Sequence, residues 1–269
     1  MPKNLRLTLV QSNLTWEDPI ANYRRLSRML SSLERGSTDL VVLPELFPTG
    51  FSMDAKRLAE VPEGPSMQWM LEMAIGLRAP VCGSVIIREG KQFFNRFIWM
   101  EPDGRYEQYD KRHLFRMAGE DKTYTSGKDG IVIEHKGWSI CPIICYDLRF
   151  PVWSRNRLLR EGGKQRADYD LLLAVANWPS ARSFAWKQLL IARAIENQSY
   201  VAGVNRVGTD GKDIRYDGDS VALDAMGSTI GSLRKGQNGL INVTLDWKHL
   251  SEVRKKLPFL QDGDAFSVG

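Results

Sequence analysis

Two short runs of unbroken apolar residues, Leu40-Val41-Val42-Leu43 and Leu171-Leu172-Leu173-Ala174-Val175, set the strongest limit on how this chain can fold. A strand with one face in water alternates apolar and polar residues. A strand that is apolar throughout must be covered on both faces, as in a sheet flanked by helices. Helical sequence brackets these runs. Asp18 and Pro19 fit the N-cap and first helical positions. Ile20, Tyr23, Leu26, Leu30 and Leu33 then recur at spacings of three or four, and Gly36 fits the position just past the last turn. Pro65 to Leu77 reads as a second helix, Ser183 caps a third that runs to Asn197, and 247–256 reads as the last. Strands are expected at 5–10, 39–43, 81–87, 131–134, 138–144, 171–175, 200–204 and 240–245. One hairpin lies within 93–109 and turns at Pro102-Asp103-Gly104; another pairs 219–223 with 229–233 around Met226-Gly227. Strands and helices interleave and no Gly/Ser/Pro-rich linker parts them, so residues 1–269 are read as a single α/β domain. Asp39–Glu45 and Asp170–Trp178 echo each other, each an acid, an apolar strand and a polar residue close to a proline.

Composition narrows the function. Of 269 residues, 43% are hydrophobic and 26% charged, enough for one large core and too apolar for disorder. The chain has 37 basic and 32 acidic residues, a formal net charge of +5. The basic groups Arg24-Arg25, Arg155-Asn156-Arg157 and Arg254-Lys255-Lys256 are short and scattered. They read as solvated faces, so no nucleic-acid partner is expected. Cys82, Cys141 and Cys145 give no disulfide framework, which suits a reducing compartment. No apolar stretch follows the charged N-terminus and no window is long enough to span a bilayer. A cytoplasmic protein without a membrane partner is expected.

Three places put a reactive side chain just past an apolar strand, where the sheet holds the backbone and the loop presents the group. Glu45 lies in Val42-Leu43-Pro44-Glu45-Leu46-Phe47. A carboxylate buried there needs a partner, and could act as a general base. Read alone, it could as well face solvent or serve an ion pair. Lys111 lies in Asp110-Lys111-Arg112-His113-Leu114-Phe115, a run that could be a solvated face or supply a fixed cation for an oxyanion. Cys145 ends Ile143-Ile144-Cys145 before Tyr146-Asp147-Leu148-Arg149-Phe150-Pro151. It could be a buried small hydrophobe, like Cys82 and Cys141, or a nucleophile on a strand-to-turn elbow, with the Tyr146 N–H next to it as an oxyanion donor. Other chemistries find little support. Cys141 and Cys145 make a poor metal pair. Of the three histidines only His113 has a distinctive context for a cysteine protease, and no phosphate-binding glycine loop is present.

Taken together, the three motifs resemble those of the nitrilase superfamily of carbon–nitrogen hydrolases, which carry a Glu, a Lys and a Cys in this order after strands. Here the spacings are 66 and 34 residues, and the resemblance runs from Leu5 to about Leu245. It implies a four-layer αββα sandwich, a homodimer or larger homo-oligomer joined through its helix layers, no cofactor or metal, and Glu45, Lys111 and Cys145 as catalytic residues. Glu120, seven residues before Gly127, matches a further glutamate of the family, with Asp121 as its rival. Thr49–Met53, Asp110–Met117 and Cys145–Pro151 look most like the omega-amidase branch, which cleaves the terminal amide of a dicarboxylic acid monoamide such as 2-oxoglutaramate or succinamate. Arg149 or Arg182 would then hold the far carboxylate, unless each is a structural partner of an acid such as Asp147. Trp178 and Phe51 would line the pocket. The resemblance leaves room for a related amidase acting on deaminated glutathione or an N-carbamoyl compound. A catalytically idle binding protein on the same scaffold is the alternative of another class.

Overall fold

The computed structural model describes residues 3–161 and 164–267. In chain order the first half comprises β1 (Leu5–Gln11), α1 (Pro19–Leu30), β2 (Leu40–Val42), α2 (Ala55–Leu58), α3 (Pro65–Leu77), β3 (Val81–Glu89), β4 (Gln92–Met100), β5 (Tyr106–Asp110) and α4 (Glu120–Thr123). The second comprises β6 (Ile133–His135), β7 (Trp138–Ile144), β8 (Leu158–Glu161), β9 (Lys164–Ala167), β10 (Leu171–Ala176), α5 (Ser183–Asn197), β11 (Tyr200–Asn205), β12 (Val207–Thr209), β13 (Arg215–Asp217), β14 (Val221–Leu223), β15 (Thr229–Ser232), β16 (Gly239–Leu245) and α6 (Trp247–Lys256). They form two mixed six-stranded sheets, in the orders β16-β1-β2-β3-β4-β5 and β15-β14-β11-β10-β7-β6.

The two unbroken apolar runs are the inner strands β2 and β10. Because side chains alternate along a strand, Leu40 and Val42 point to one face and Val41 and Leu43 to the other. The first pair meets Ile140, Ile144, Leu171, Leu173 and Val175 of the opposite sheet. The second pair packs against Leu26 and Leu30 of α1 and Met70 and Ala74 of α3. Across the molecule Leu172 and Ala174 pack on Trp186, Leu190 and Ala194 of α5. The result is the four-layer αββα sandwich that the motifs implied, and each run is covered on both sides. Among the described residues no helix is long and apolar enough to cross a membrane.

The echo between the two strand entries has a physical basis. The Asp39 N–H donates to Arg6 O at 2.8 Å while its Oδ2 accepts from Arg6 N at 2.9 Å. The Asp170 N–H donates to Ser139 O at 2.7 Å while its Oδ2 accepts from Ser139 N at 3.0 Å. Each acid thus pins an inner strand to its parallel neighbour, β2 to β1 and β10 to β7.

The structure departs from the sequence reading in several places. α1 ends at Leu30, not near Leu33, because Ser31 and Ser32 turn their hydroxyls back onto Arg28 O and Met29 O. Gly36 does take a positive φ of 77°, but in a separate turn whose N–H reaches Leu77 O. Ser183 is the first residue of α5 rather than its cap; its hydroxyl donates to Asp219 Oδ2 at 2.6 Å, and Arg182 holds the cap position. β6 begins at Ile133, two residues later than expected. The short ribbons β8–β9 and β12–β13 lie outside the two sheets, and the sequence reading did not include them.

Candidate active site

Strand ends bring the three motif residues together. Glu45 follows β2 and Pro44. The next residue, Leu46, has φ 41° and is held by its N–H on Ser84 Oγ at 2.8 Å. Lys111 follows β5, with its N–H on Asn95 O at 3.0 Å and its carbonyl accepting from Gly127 N at 2.9 Å. Gly127 is required there, since a Cβ would stand 2.0 Å from Asp110 O. Cys145 follows β7 with φ 46°, a left-handed conformation. Outside glycine, such strain costs about 1–3 kcal/mol and persists only where surrounding contacts enforce it. The β7–β10 register pairs Ile144 with Val175, which carries Asn177 up beside the cysteine. Cys145 Sγ lies 3.9 Å from Asn177 O.

The charged groups are buried: Glu45 and Glu120 are 0% exposed and Lys111 1%. Lys111 Nζ donates to Glu45 Oε1 at 2.8 Å and to Glu120 Oε1 and Oε2 at 2.9 and 3.0 Å. Asn95 Nδ2 donates to Glu45 Oε1 at 2.8 Å and to Glu120 Oε1 at 3.3 Å. Glu45 Oε2 accepts from Asn177 N at 2.7 Å, and Asn177 Nδ2 donates to Glu45 O at 2.6 Å, so one carboxylate bridges the ends of both sheets. Glu120 Oε2 also accepts from Phe115 N at 2.6 Å. Of the two rival acids it is therefore Glu120 that reaches the lysine, while Asp121 lies exposed. Burial without enough cations for both acids has a cost. Burial pushes the Glu120 carboxyl up, against the pull of Lys111 and with help from the Glu45 charge. Burial alone would lower the Lys111 ammonium, but Glu120 and Glu45 hold it well above the ordinary lysine value.

The Glu45, Lys111 and Glu120 charges all act on the Cys145 thiol. Burial raises it well above the ordinary cysteine value, Glu45 and Glu120 add to the rise, and Lys111 opposes it. The balance favours a resting thiol over a free thiolate.

A cavity of about 60 Å3 opens over the sulfur. Its walls are Phe51, Phe115, Tyr146, Trp178, Ile214 and Tyr216, and its polar floor is Lys111, Cys145 and Asn177. Lys111 Nζ stands 5.1 Å from the Phe51 ring centroid, and Tyr146 meets Phe115 edge to face at 5.0 Å. Arg149 and Arg182 flank the cavity, their guanidinium carbons 4.9 Å from the Trp178 ring and 5.2 Å from the Phe115 ring. Among the described residues neither arginine has a carboxylate partner. Asp147 is occupied by Tyr109, His113 and Ile144, so the ion pair weighed for Arg149 does not form. A larger surface cleft beside α6 holds none of these groups; its Arg254 is spent on Asp170 and on two backbone carbonyls.

The sequence reading missed Asn95, Asn177 and Tyr216. Asn95 had a signal: an Asn-Arg pair inside the apolar stretch Phe93–Met100 is costly to bury unless each side chain is partnered.

The chain belongs to the carbon–nitrogen hydrolase family, whose model matches residues 6–255. That match bears out the resemblance read from the three motifs. The chain is similar to Omega-amidase YafV of Yersinia enterocolitica, at 45% identity over 97% of this chain and 98% of the relative. It is 44% identical to Omega-amidase YafV of Escherichia coli K12, over 98% of each chain. The crystal structure of XC1258 from Xanthomonas campestris, a CN-hydrolase superfamily protein with an arsenic adduct in its active site, superposes with a TM-score of 0.95 at 45% identity, covering 99% of each chain.

Proposed function

We propose that this hydrolase is an omega-amidase, which removes ammonia from the terminal amide of a dicarboxylic acid monoamide of the succinamate or 2-oxoglutaramate type. The observation that carries this reading is the pair of guanidiniums, Arg149 and Arg182, beside a cavity that ends on Cys145 and Lys111. An amide with a carboxylate at its far end matches that charge layout, and an arginine fork suits a carboxylate. The two similar proteins named omega-amidase support the same conclusion.

In the proposed reaction Glu45 takes the Cys145 proton, and the sulfur attacks the amide carbon. Lys111 Nζ and the Tyr146 N–H hold the oxyanion, each worth about 3–4 kcal/mol. Glu45 returns the proton to the departing nitrogen, the C–N bond breaks, and ammonia leaves a thioester on Cys145. Glu45 then deprotonates a water that attacks the thioester, and the proton goes back to sulfur as the acid departs. Glu120 orients Lys111, and Asn95 eases the repulsion between the two carboxylates by donating to both. Phe51 and Trp178 line the passage for the methylene chain.

Replacing Arg149 or Arg182 with alanine tests the carboxylate reading. The arginine that reads the far carboxylate should raise KM for succinamate by about 10- to 100-fold on substitution, while turnover of butyramide, which lacks that carboxylate, stays within a factor of about three. Equal effects on both substrates, or none on either, would remove this assignment.

We read the span 1–269 as one catalytic unit, because β16 near its end pairs with β1 at its start, and both halves supply walls of one site. The unpaired cysteines support a cytoplasmic location. A homodimer or larger homo-oligomer belongs to the same reading. On the outer face of α5, Phe184 and Ile195 are 76% and 51% exposed, with Met226 exposed nearby. Sedimentation should give at least twice the chain mass, and Phe184→Asp together with Ile195→Asp should return it to that of one chain.

A further inference from the structure

His113 sits in the Lys111 motif and Asp147 two residues past Cys145, yet neither takes part in the chemistry above. They meet. Asp147 is 0% exposed, and its Oδ1 accepts from His113 N and from His113 Nδ1, both at 2.9 Å. A carboxylate only accepts, so Nδ1 carries the proton. Its Oδ2 accepts from Tyr109 Oη at 2.7 Å and from Ile144 N at 3.0 Å. The tyrosine oxygen in turn accepts from Arg112 N at 3.2 Å and Trp153 Nε1 at 3.0 Å. The His113 ring lies flat on Phe150, with centroids 3.7 Å apart and planes 7° from parallel.

The donors are arranged around the two reacting groups. Tyr109 and His113 flank Lys111 along the chain; Ile144 and Asp147 bracket Cys145. We propose that Asp147 is a positioning residue, a latch that ties the Lys111 loop to the strained Cys145 elbow and holds Nζ and Sγ in working register. This rests on the roles proposed above for Lys111 and Cys145. The two residues come from different sheets, and the latch spans that gap at the point where the backbone of Cys145 departs from an ordinary strand conformation. A displacement of about 1 Å between reacting groups costs about 100-fold in rate, so a latch of this kind acts on turnover rather than on substrate affinity.

Asp147→Asn keeps the shape of the side chain but leaves one accepting atom, and its amide hydrogens must confront two of the four donors. Tyr109→Phe removes one bond. His113→Phe keeps the stack and the backbone donor and removes only the ring bond. Assayed well below each variant's Tm, kcat for succinamate should fall about 100-fold in Asp147→Asn and about 3- to 10-fold in the other two, with KM within a factor of about three. Alkylation of Cys145 by iodoacetamide should slow in step. Wild-type kcat and alkylation rate in folded Asp147→Asn, whatever its Tm, would overturn the latch, and so would a KM that rises in step with the loss. If Asp147→Asn does not fold, Tyr109→Phe and His113→Phe decide by the same criteria. Ammonia release surviving in Cys145→Ala would instead defeat the underlying reading, which keeps the two failures distinct.

Discussion

Cys145→Ala should cut ammonia release from succinamate to the background of uncatalysed hydrolysis, a loss on the order of 10^5-fold or more, while the fold survives. Among the described residues the sulfur is the one nucleophile on the cavity floor, and the remaining donors there can polarise an amide but cannot form a bond to it. The other thiols offer no substitute. Cys82 is buried in the core between the sheets, and burial holds its thiol well above the ordinary cysteine value. Burial pushes Cys141 up to about 12, and it lines a separate pocket beside Trp153 and Tyr169, not the cavity over Cys145. Stability should change little. The sulfur borders a cavity, so its loss opens little new void, and the hydrogen bonds among Lys111, Glu45, Glu120 and Asn95 do not involve it. Steady-state ammonia assays beside a thermal melt check both halves of this expectation. Appreciable activity in the alanine variant would mean that the nucleophile is elsewhere.

Glu45→Gln should lower kcat by about 10^3-fold, within the range that a general base supplies. Its effect on the thiol should run the other way. A neighbouring negative charge disfavours thiolate, so the Glu45 charge raises the Cys145 pKa on top of the rise from burial. Taking that charge away lowers the thiol pKa and leaves Lys111 to favour the anion. The pH profile for alkylation of Cys145 should therefore move to lower pH in the variant even as turnover collapses. If Glu45 were only an electrostatic partner of Lys111, a more acidic sulfur would speed acylation instead. A variant with unchanged kcat, or with a profile displaced to higher pH, contradicts the assignment.

Glu45 and Cys145 were legible because each follows a strand that the apolar pattern marks, Lys111 because it follows the expected hairpin, and all three because their motifs occur in order along the chain. The layers were legible for the same reason: Leu40–Leu43 and Leu171–Val175 admit no solvent face. What escaped depends on contacts distant in sequence. Asn177 reaches Glu45 across 132 residues, and Asp147 reaches Tyr109 across 38. Neither pairing has a local signature. Asn95 was obscured because it sits in a hairpin strand with Arg96, where polar residues usually mark the wet face. The β12–β13 ribbon, three residues on each strand, is too short and polar for periodicity to register, yet it carries Tyr216 to the cavity wall. The early end of α1 follows from two serine hydroxyls that compete for backbone carbonyls, which a count of apolar spacings does not see.

Mass analysis of the Cys145 peptide after succinamate is mixed with Glu45→Gln and quenched in acid within milliseconds to minutes puts the covalent step directly in view. Slow deacylation should leave a succinyl group on the Cys145 sulfur, released by hydroxylamine as a thioester requires. Turnover by this variant and by the wild-type enzyme with Cys145 unmodified throughout, or with the acyl group on any other residue, would contradict it.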